Sequence, residues 1–193
     1  YADGGDKAQT LDLYRPDSDE PAPLLVLVHG GDWTSGDKAD LADLARACAS
    51  KGLAIASVNH RLAPGHKHPA AVQDIALACS WLHANAEDLG VQAERIHLGG
   101  FGSGGQLAMV VGLDRHWLDA IDAPPDLIAT TAAISAPCDV RLDKPLFQEV
   151  FGDDAETQLA DGTVEGRILG TVQYMSPEQA QGLETTTSTD VFS

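Results

Sequence analysis

Short runs rich in Val, Ile, Leu and Ala recur in the first three quarters of the chain. They occupy residues 23–28, 54–58, 96–98 and 127–134, and each predicts a strand. The run at 23–28 is continuously apolar, which is typical of a strand that is buried on both faces of a parallel sheet.

Between these runs, apolar residues recur at helical spacing. One such stretch begins at Leu41 and stops at Gly52, a second follows Pro69 and stops near Gly90, and a third covers residues 107–113. Proline is a favoured first helical residue and glycine a common stop. Strands that alternate with helices predict an α/β fold, a mostly parallel sheet with helices on both faces.

Small residues crowd the junction after the strand at 96–98, where the sequence reads Gly99-Gly100-Phe101-Gly102-Ser103-Gly104-Gly105. A sharp turn from a strand into a helix is how serine hydrolases expose a nucleophile, and small residues two positions on either side permit the bend. Gly100 and Gly104 set this register. They put Gly102 at the nucleophile position and Ser103 one residue later. Glycine has no side chain, so no acyl-enzyme can form at Gly102.

Two other interpretations of Ser103 stay open. A register shifted by one residue makes Ser103 the candidate nucleophile, but it places the bulky Phe101 where the turn needs a small residue. Alternatively, Ser103 is simply the N-cap of the following helix, a common position for serine.

The same glycines also satisfy the dinucleotide-binding pattern G-x-G-x-x-G at Gly100, Gly102 and Gly105. That pattern normally has an acidic residue about 20 positions later, at the end of the next strand. Asp119 and Asp122 are near that distance but precede two prolines in a predicted loop. A nucleotide site is therefore not favoured.

A second glycine pair follows the first predicted strand, in His29-Gly30-Gly31-Asp32-Trp33. Two successive glycines leave backbone N–H groups unobstructed, as stabilisation of a developing oxyanion requires. On its own, His-Gly-Gly is compatible with an ordinary turn beside a buried histidine and tryptophan.

Taken together, these motifs resemble the α/β-hydrolase esterases related to hormone-sensitive lipase. Further blocks at residues 11–16, 36–38, 57–64 and 69–74 match that family in the same order, so the resemblance covers about residues 11–154. It implies a carboxylic ester hydrolase for small acyl esters, without cofactor or metal. It also implies an oxyanion hole formed by the N–H groups of Gly30, Gly31 and Ser103. His60 departs from the pattern, because the family usually has tyrosine there.

The catalytic triad of this family is incomplete in the sequence. The family's acid and histidine follow the nucleophile, whereas no histidine follows His116 in these 193 residues. We therefore expect weak or absent esterase activity, or else a non-catalytic pseudohydrolase that binds a small molecule or a protein partner. His66 and His68 offer only two metal ligands, and the sequence favours an exposed loop over a metal site there.

The end of the chain has a different character. Residues 163–193, which include Ser176-Pro177-Glu178, resemble the activation segment of bacterial serine/threonine protein kinases, but no other kinase motif is present. We predict an α/β-hydrolase-like domain over residues 1–155, truncated at its C-terminal end, and a kinase-like tail over residues 156–193 that is not an independent domain. The strand at 127–134 then lies at a sheet edge, which predicts self-association or cover by the tail.

The composition of the chain argues against several classes of binding partner. The net charge of −17 argues against nucleic acid and anionic membranes, and no apolar run reaches the roughly 20 residues that span a bilayer. We expect a soluble protein, with the cytoplasm favoured. The three cysteines, Cys48, Cys79 and Cys138, are odd in number and predict no disulfide framework.

Overall fold

The computed structural model describes residues 1–2, 7–137 and 144–152 of the chain. Within this part, five strands form one sheet: β1 (Leu11–Tyr14), β2 (Ala22–Val28), β3 (Ala54–Val58), β4 (Val91–Phe101) and β5 (Ile128–Ile134). The strand order is β1-β3-β2-β4-β5. Only β1 runs antiparallel to its neighbour, and the other pairs are parallel. The predicted α/β fold with a mostly parallel sheet is confirmed.

Helices cover both faces of this sheet. After a short 3₁₀ helix at Lys38–Leu41, the helices are α1 (Ala42–Ala49), α2 (Ala70–Ala84), α3 (Ala86–Leu89), α4 (Ser103–Leu113), α5 (His116–Asp119) and α6 (Lys144–Phe151). Helices α2 and α4 pack on one face and α1 on the other. Gly90 ends α3 with a φ of 62°, a left-handed conformation that glycine adopts without strain.

The main hydrophobic core lies between the sheet and the helices α2 and α4. All five residues of β3 are buried, and Leu24, Val26, Ile96 and Leu98 from the two central strands have at most 1% of their surface exposed. Each fully buried side chain of this size contributes about 1.5–3 kcal/mol relative to an exposed one. The continuous apolar run at residues 23–28 therefore follows from the burial of most of β2.

Strand β1 and helix α5 differ from the sequence prediction. Residues 11–14 were not predicted as a strand, yet they pair with β3 in the register Leu11↔Val58. Four residues carry too little periodicity to identify a strand. Asp119 was predicted to lie in a loop, which is wrong, because Asp119 is the last residue of α5.

Strand β5 forms one edge of the sheet, as predicted for residues 127–134. Its alternate residues Thr130, Ala132 and Ile134 are exposed, with Ile134 at 49%. The opposite face of β5 packs on α4, where Gly112 lies against Thr131. The predicted kinase-like tail and Cys138 lie outside the described residues. No helix in the described ranges is both long enough and apolar enough to cross a membrane.

Candidate active site

The turn between β4 and α4 has the geometry of a nucleophile elbow, and Gly102 lies at its apex. Gly102 has φ 52° and ψ −126°, a conformation that side-chain-bearing residues adopt only under strain. A Cβ atom built on Gly102 would meet nothing closer than the Cα of Gly30, at 4.0 Å. The apex therefore faces the glycine loop, by which we mean residues 29–36, across an open space.

Neighbouring glycines make this turn possible. A Cβ on Gly100 would overlap the carbonyl of Gly104, and a Cβ on Gly104 would overlap the carbonyl of His29. On Gly105 it would come within 2.9 Å of the Gly100 carbonyl oxygen. Backbone therefore packs directly on backbone where β2 and β4 end, and this close approach fixes Gly102 at the apex.

Ser103 follows the apex as the first residue of α4, and its side chain is buried with 4% of its surface exposed. Its Oγ accepts a hydrogen bond from the backbone N–H of Trp33 at 3.2 Å. The N-cap interpretation of Ser103 is wrong, because Gly102 holds that position and no side chain caps the helix. Ser103 instead ties the elbow to the glycine loop.

The glycine loop is held in a strained conformation. Gly31, Asp32 and Trp33 have φ values of 121°, 52° and 60°, of which the last two are unusual for residues with a side chain. The N–H groups of Thr34 and Ser35 donate to the Gly31 carbonyl at 3.1 and 3.0 Å. These bonds close a tight turn within the loop.

Trp33 anchors the glycine loop to its surroundings. Its indole Nε1–H donates to Oε1 of Gln106 on α4 at 3.1 Å, and its carbonyl accepts from the N–H of Ala63 at 3.0 Å. Together with the bond to Ser103, these contacts hold the loop on two sides. A Cβ on Gly30 would lie 3.0 Å from the Phe101 carbonyl oxygen, so Gly30 packs closely against the elbow.

Three backbone N–H groups around the elbow apex are free. Among the described residues, the N–H groups of Gly30, Gly31 and Ser103 form no hydrogen bond. Gly30 and Gly31 belong to the glycine loop, and Ser103 is the first residue of a helix whose positive dipole end faces the apex. An arrangement of this kind attracts negative charge.

Beneath the glycine loop, the imidazole rings of His29 and His60 stack with centroids 4.6 Å apart and planes inclined by 13°. Both side chains are buried, with 1% and 3% of their surface exposed. Nδ1 of His29 lies 2.8 Å from the Gly30 carbonyl oxygen, and Nδ1 of His60 lies 3.2 Å from that of Arg61. Since a carbonyl oxygen only accepts, these nitrogens carry the protons.

A buried ion pair fixes the chain beside His60. The Asp74 carboxylate is fully buried on α2 and accepts from Nε and Nη2 of Arg61, at 2.7 Å for the closest contact. It also accepts from the Arg61 backbone N–H and from Gln9. Arg61 is thus held by both its side chain and its main chain, which sets the position of the adjacent His60.

The predicted exposed loop at His66 and His68 is only half correct. His66 is exposed, whereas His68 is half-buried, and its ring packs on Phe151 and Trp117 with centroid distances of 5.0 and 5.9 Å. Burial lowers the pKa of His68 to about 4. Within the described ranges, no three His, Cys, Asp or Glu side chains converge as a metal site would require.

The parallel sheet, the sharp turn after β4 and the glycine loop after β2 define an α/β-hydrolase fold. Comparison with solved structures supports this assignment of the fold. The chain is similar to the structure titled Bacterial Heroin Esterase, with a TM-score of 0.61 and 27% identity over 88% of this chain and 52% of that one.

Residues 11–137 match the model of the BD-FAE family, and the chain belongs to that family. It is 42% identical over 100 residues to carboxylic ester hydrolase LipN of Mycobacterium tuberculosis (strain ATCC 25618 / H37Rv), a match that covers 51% of this chain and 27% of the relative. It is 35% identical over 136 residues to lipase 2 of Moraxella sp. (strain TA144), which covers 64% of this chain and 31% of the relative. The chain thus spans less than a third of the length of these two relatives.

Proposed function

We propose that the chain is a carboxylic-ester-hydrolase domain for small acyl esters whose own hydrolytic activity is weak or absent. The observation that carries the proposal is the identity of the apex residue. Gly102 has the strained backbone that presents a nucleophile, but it has no side chain. The neighbouring Ser103 Oγ is buried and accepts a hydrogen bond from Trp33, so it is occupied in a structural contact.

The same proposal assigns an oxyanion hole to the N–H groups of Gly30, Gly31 and Ser103. These groups have no acceptor among the described residues and lie beside the apex, which supports this role. In serine hydrolases that lack triad members, the oxyanion hole and binding alone retain about 10³–10⁴-fold acceleration over water. A weak esterolytic rate is therefore compatible with a glycine at the apex, where a nucleophilic side chain is absent.

The proposal also assigns no residue as the general base that would take the proton of a nucleophile. His29 and His60 are stacked on each other beneath the glycine loop, with one nitrogen of each engaged by a backbone carbonyl. No histidine follows His116 in the 193 residues. Restoring a serine at position 102 therefore supplies a nucleophile without the imidazole that would take its proton.

The test compares hydrolysis of a short-chain aryl ester by the 193-residue chain, Ser103→Ala and Gly102→Ser. We expect equal, near-background rates for the chain and Ser103→Ala, and no recovery to an ordinary esterase rate in Gly102→Ser. Loss of a real activity in Ser103→Ala would identify Ser103 as the nucleophile. A high rate in Gly102→Ser would reveal a base that the proposal lacks.

A second candidate is a non-catalytic protein that binds a small acyl compound. The backbone N–H groups of Gly30, Gly31 and Ser103, which have no acceptor among the described residues, favour it. Isothermal titration with a non-hydrolysable ester analogue distinguishes the candidates. Saturable binding without turnover of the matching ester favours the binding protein, and absence of binding argues against it.

We also propose that the chain self-associates through the edge strand β5. The support is the position of β5 at the edge of the sheet that the described residues form, together with the exposure of Thr130, Ala132 and Ile134. Sedimentation velocity should show a concentration-dependent oligomer that Ile134→Lys dissociates. The matched control is Leu44→Lys, which places the same charge at an exposed leucine on α1. A monomer at every concentration would refute the proposal.

A further inference from the structure

The stacked histidine pair beneath the glycine loop has no assigned task in ester hydrolysis. His29 follows β2 directly and starts the glycine loop, while His60 follows β3. The two rings face each other at 4.6 Å, so a contact between two connecting segments helps to seat the loop. Gly36 closes the other side, because a Cβ there would lie within 2.9 Å of the His29 ring.

The surroundings of His60 suit a neutral ring and not a charged one. Its Nδ1–H donates to the Arg61 carbonyl, but its Nε2 is buried without a partner among the described residues. A second proton on His60 would therefore create a buried N–H donor with no acceptor, next to the His29 ring. Such a group costs free energy both as an unpaired donor and as a desolvated charge.

We propose that the His29–His60 stack is an acid-sensitive latch, which holds the glycine loop against the elbow at neutral pH and releases it when His60 takes up a proton.

Charged and titratable groups face the pair from several elements. Asp74 of α2 attracts a proton to His60, but Arg61 already engages its carboxylate. Asp37, which directly follows the glycine loop, interacts with His29. Tyr1 donates its hydroxyl to the Asn59 carbonyl next to His60. Burial and the neighbouring His29 outweigh the attraction of Asp74 and lower the pKa of His60 to about 4.

The direction of the pH effect follows from that shift. In an opened loop, His60 is in water and has its ordinary pKa of about 6.5, whereas in the closed loop it has a pKa of about 4. The opened form therefore binds the proton more tightly, and the latch is lost as the pH falls from about 6.5 towards 4. Between pH 7.5 and pH 5, the equilibrium constant for opening rises about 30-fold.

The test is hydrogen exchange of the 193-residue chain, followed by mass spectrometry at pH 7.5 and pH 5 and corrected for the intrinsic pH dependence of exchange. We expect peptides from residues 29–36 to lose about 30-fold in protection at pH 5, while the buried strand β3 keeps its protection. His60→Phe retains a ring for stacking and cannot titrate, so it should abolish the pH effect. His66→Phe removes an exposed imidazole and should leave the effect intact.

Equal protection of the loop at both pH values would overturn the proposal, and so would the same pH effect in His60→Phe. If that variant does not fold, NMR titration of the unmodified chain decides the question. We expect His60 to remain neutral in the closed state at pH 5.5. Titration of His60 near pH 6.5 with no change in the loop resonances would refute the latch.

Discussion

The elbow predicts different costs for adding one methyl group at two nearby glycines, smaller at Gly102 than at Gly104. Gly102→Ala introduces a Cβ that meets nothing within 4.0 Å, so its only cost is the strain of an alanine at φ 52° and ψ −126°. Strain of this kind costs about 1–3 kcal/mol. The same backbone strain applies to serine at this position, so Gly102→Ser should fold as well as Gly102→Ala.

Gly104→Ala places its Cβ against the His29 carbonyl oxygen, which it would overlap, and 2.5 Å from that of Val28. These carbonyls belong to the last residue of β2 and to the residue after it, and β2 is fixed on both sides by its pairing with β3 and β4. Alanine is better than glycine in a helix by about 1 kcal/mol. That gain does not offset a collision with immobile backbone, and we expect a net loss of about 3 kcal/mol or more.

Urea unfolding of the chain and both variants, monitored by circular dichroism, measures the two costs. We expect both variants to be less stable than the chain and Gly104→Ala to be the less stable of the two. A Gly104→Ala variant within about 0.5 kcal/mol of the chain would show that β2 and α4 do not pack backbone against backbone. A Gly102→Ala variant as stable as the chain would show that Gly102 is not at a strained apex.

Three further predictions concern buried ionisable groups. Asp74→Asn leaves the Arg61 guanidinium without its buried carboxylate, and we expect the free energy of unfolding in urea to fall by about 3–5 kcal/mol. A decrease below about 1 kcal/mol would contradict a buried ion pair. Burial raises the pKa of Cys79 to about 12, so we expect its thiol to resist alkylation in the native chain, whereas the half-buried Cys48 should react. Peptide mapping after alkylation measures both cysteines. Equal labelling of the two would contradict this prediction. Because His68 has a lowered pKa in the folded chain, its contribution to the free energy of unfolding is present above about pH 6.5 and is lost as the pH falls towards 4. His68→Asn should therefore weaken the dependence of the free energy of unfolding on pH. An unchanged pH dependence in this variant would contradict the prediction.

The sequence predicts those parts of the molecule that depend on local pattern. Four strands were predicted from runs rich in apolar residues, and the apex at Gly102 was predicted because Gly100 and Gly104 set the register of the turn. Strand β1 was missed, since four residues with mixed polarity match several patterns.

Contacts between distant segments could not be predicted in this way. The bond from the Trp33 N–H to Ser103 Oγ joins residues 70 positions apart, and no local pattern encodes it. The His29–His60 stack depends on β2 and β3 being neighbours, which follows from the sheet topology. The sequence offered one signal only, the histidine at position 60 where related esterases usually have tyrosine.

The strand order has a consequence for how the molecule folds. Strand β2 lies between β3 and β4, and the elbow and the glycine loop come together only where β2 and β4 end side by side. Pairing of β2 with β3 closes a short connection, whereas pairing with β4 closes a loop more than twice as long and costs more chain entropy. Because non-local pairing slows folding, we expect the β2–β3 pair to form before the candidate site. Formation of the candidate site would therefore indicate that β2 is already paired with both β3 and β4.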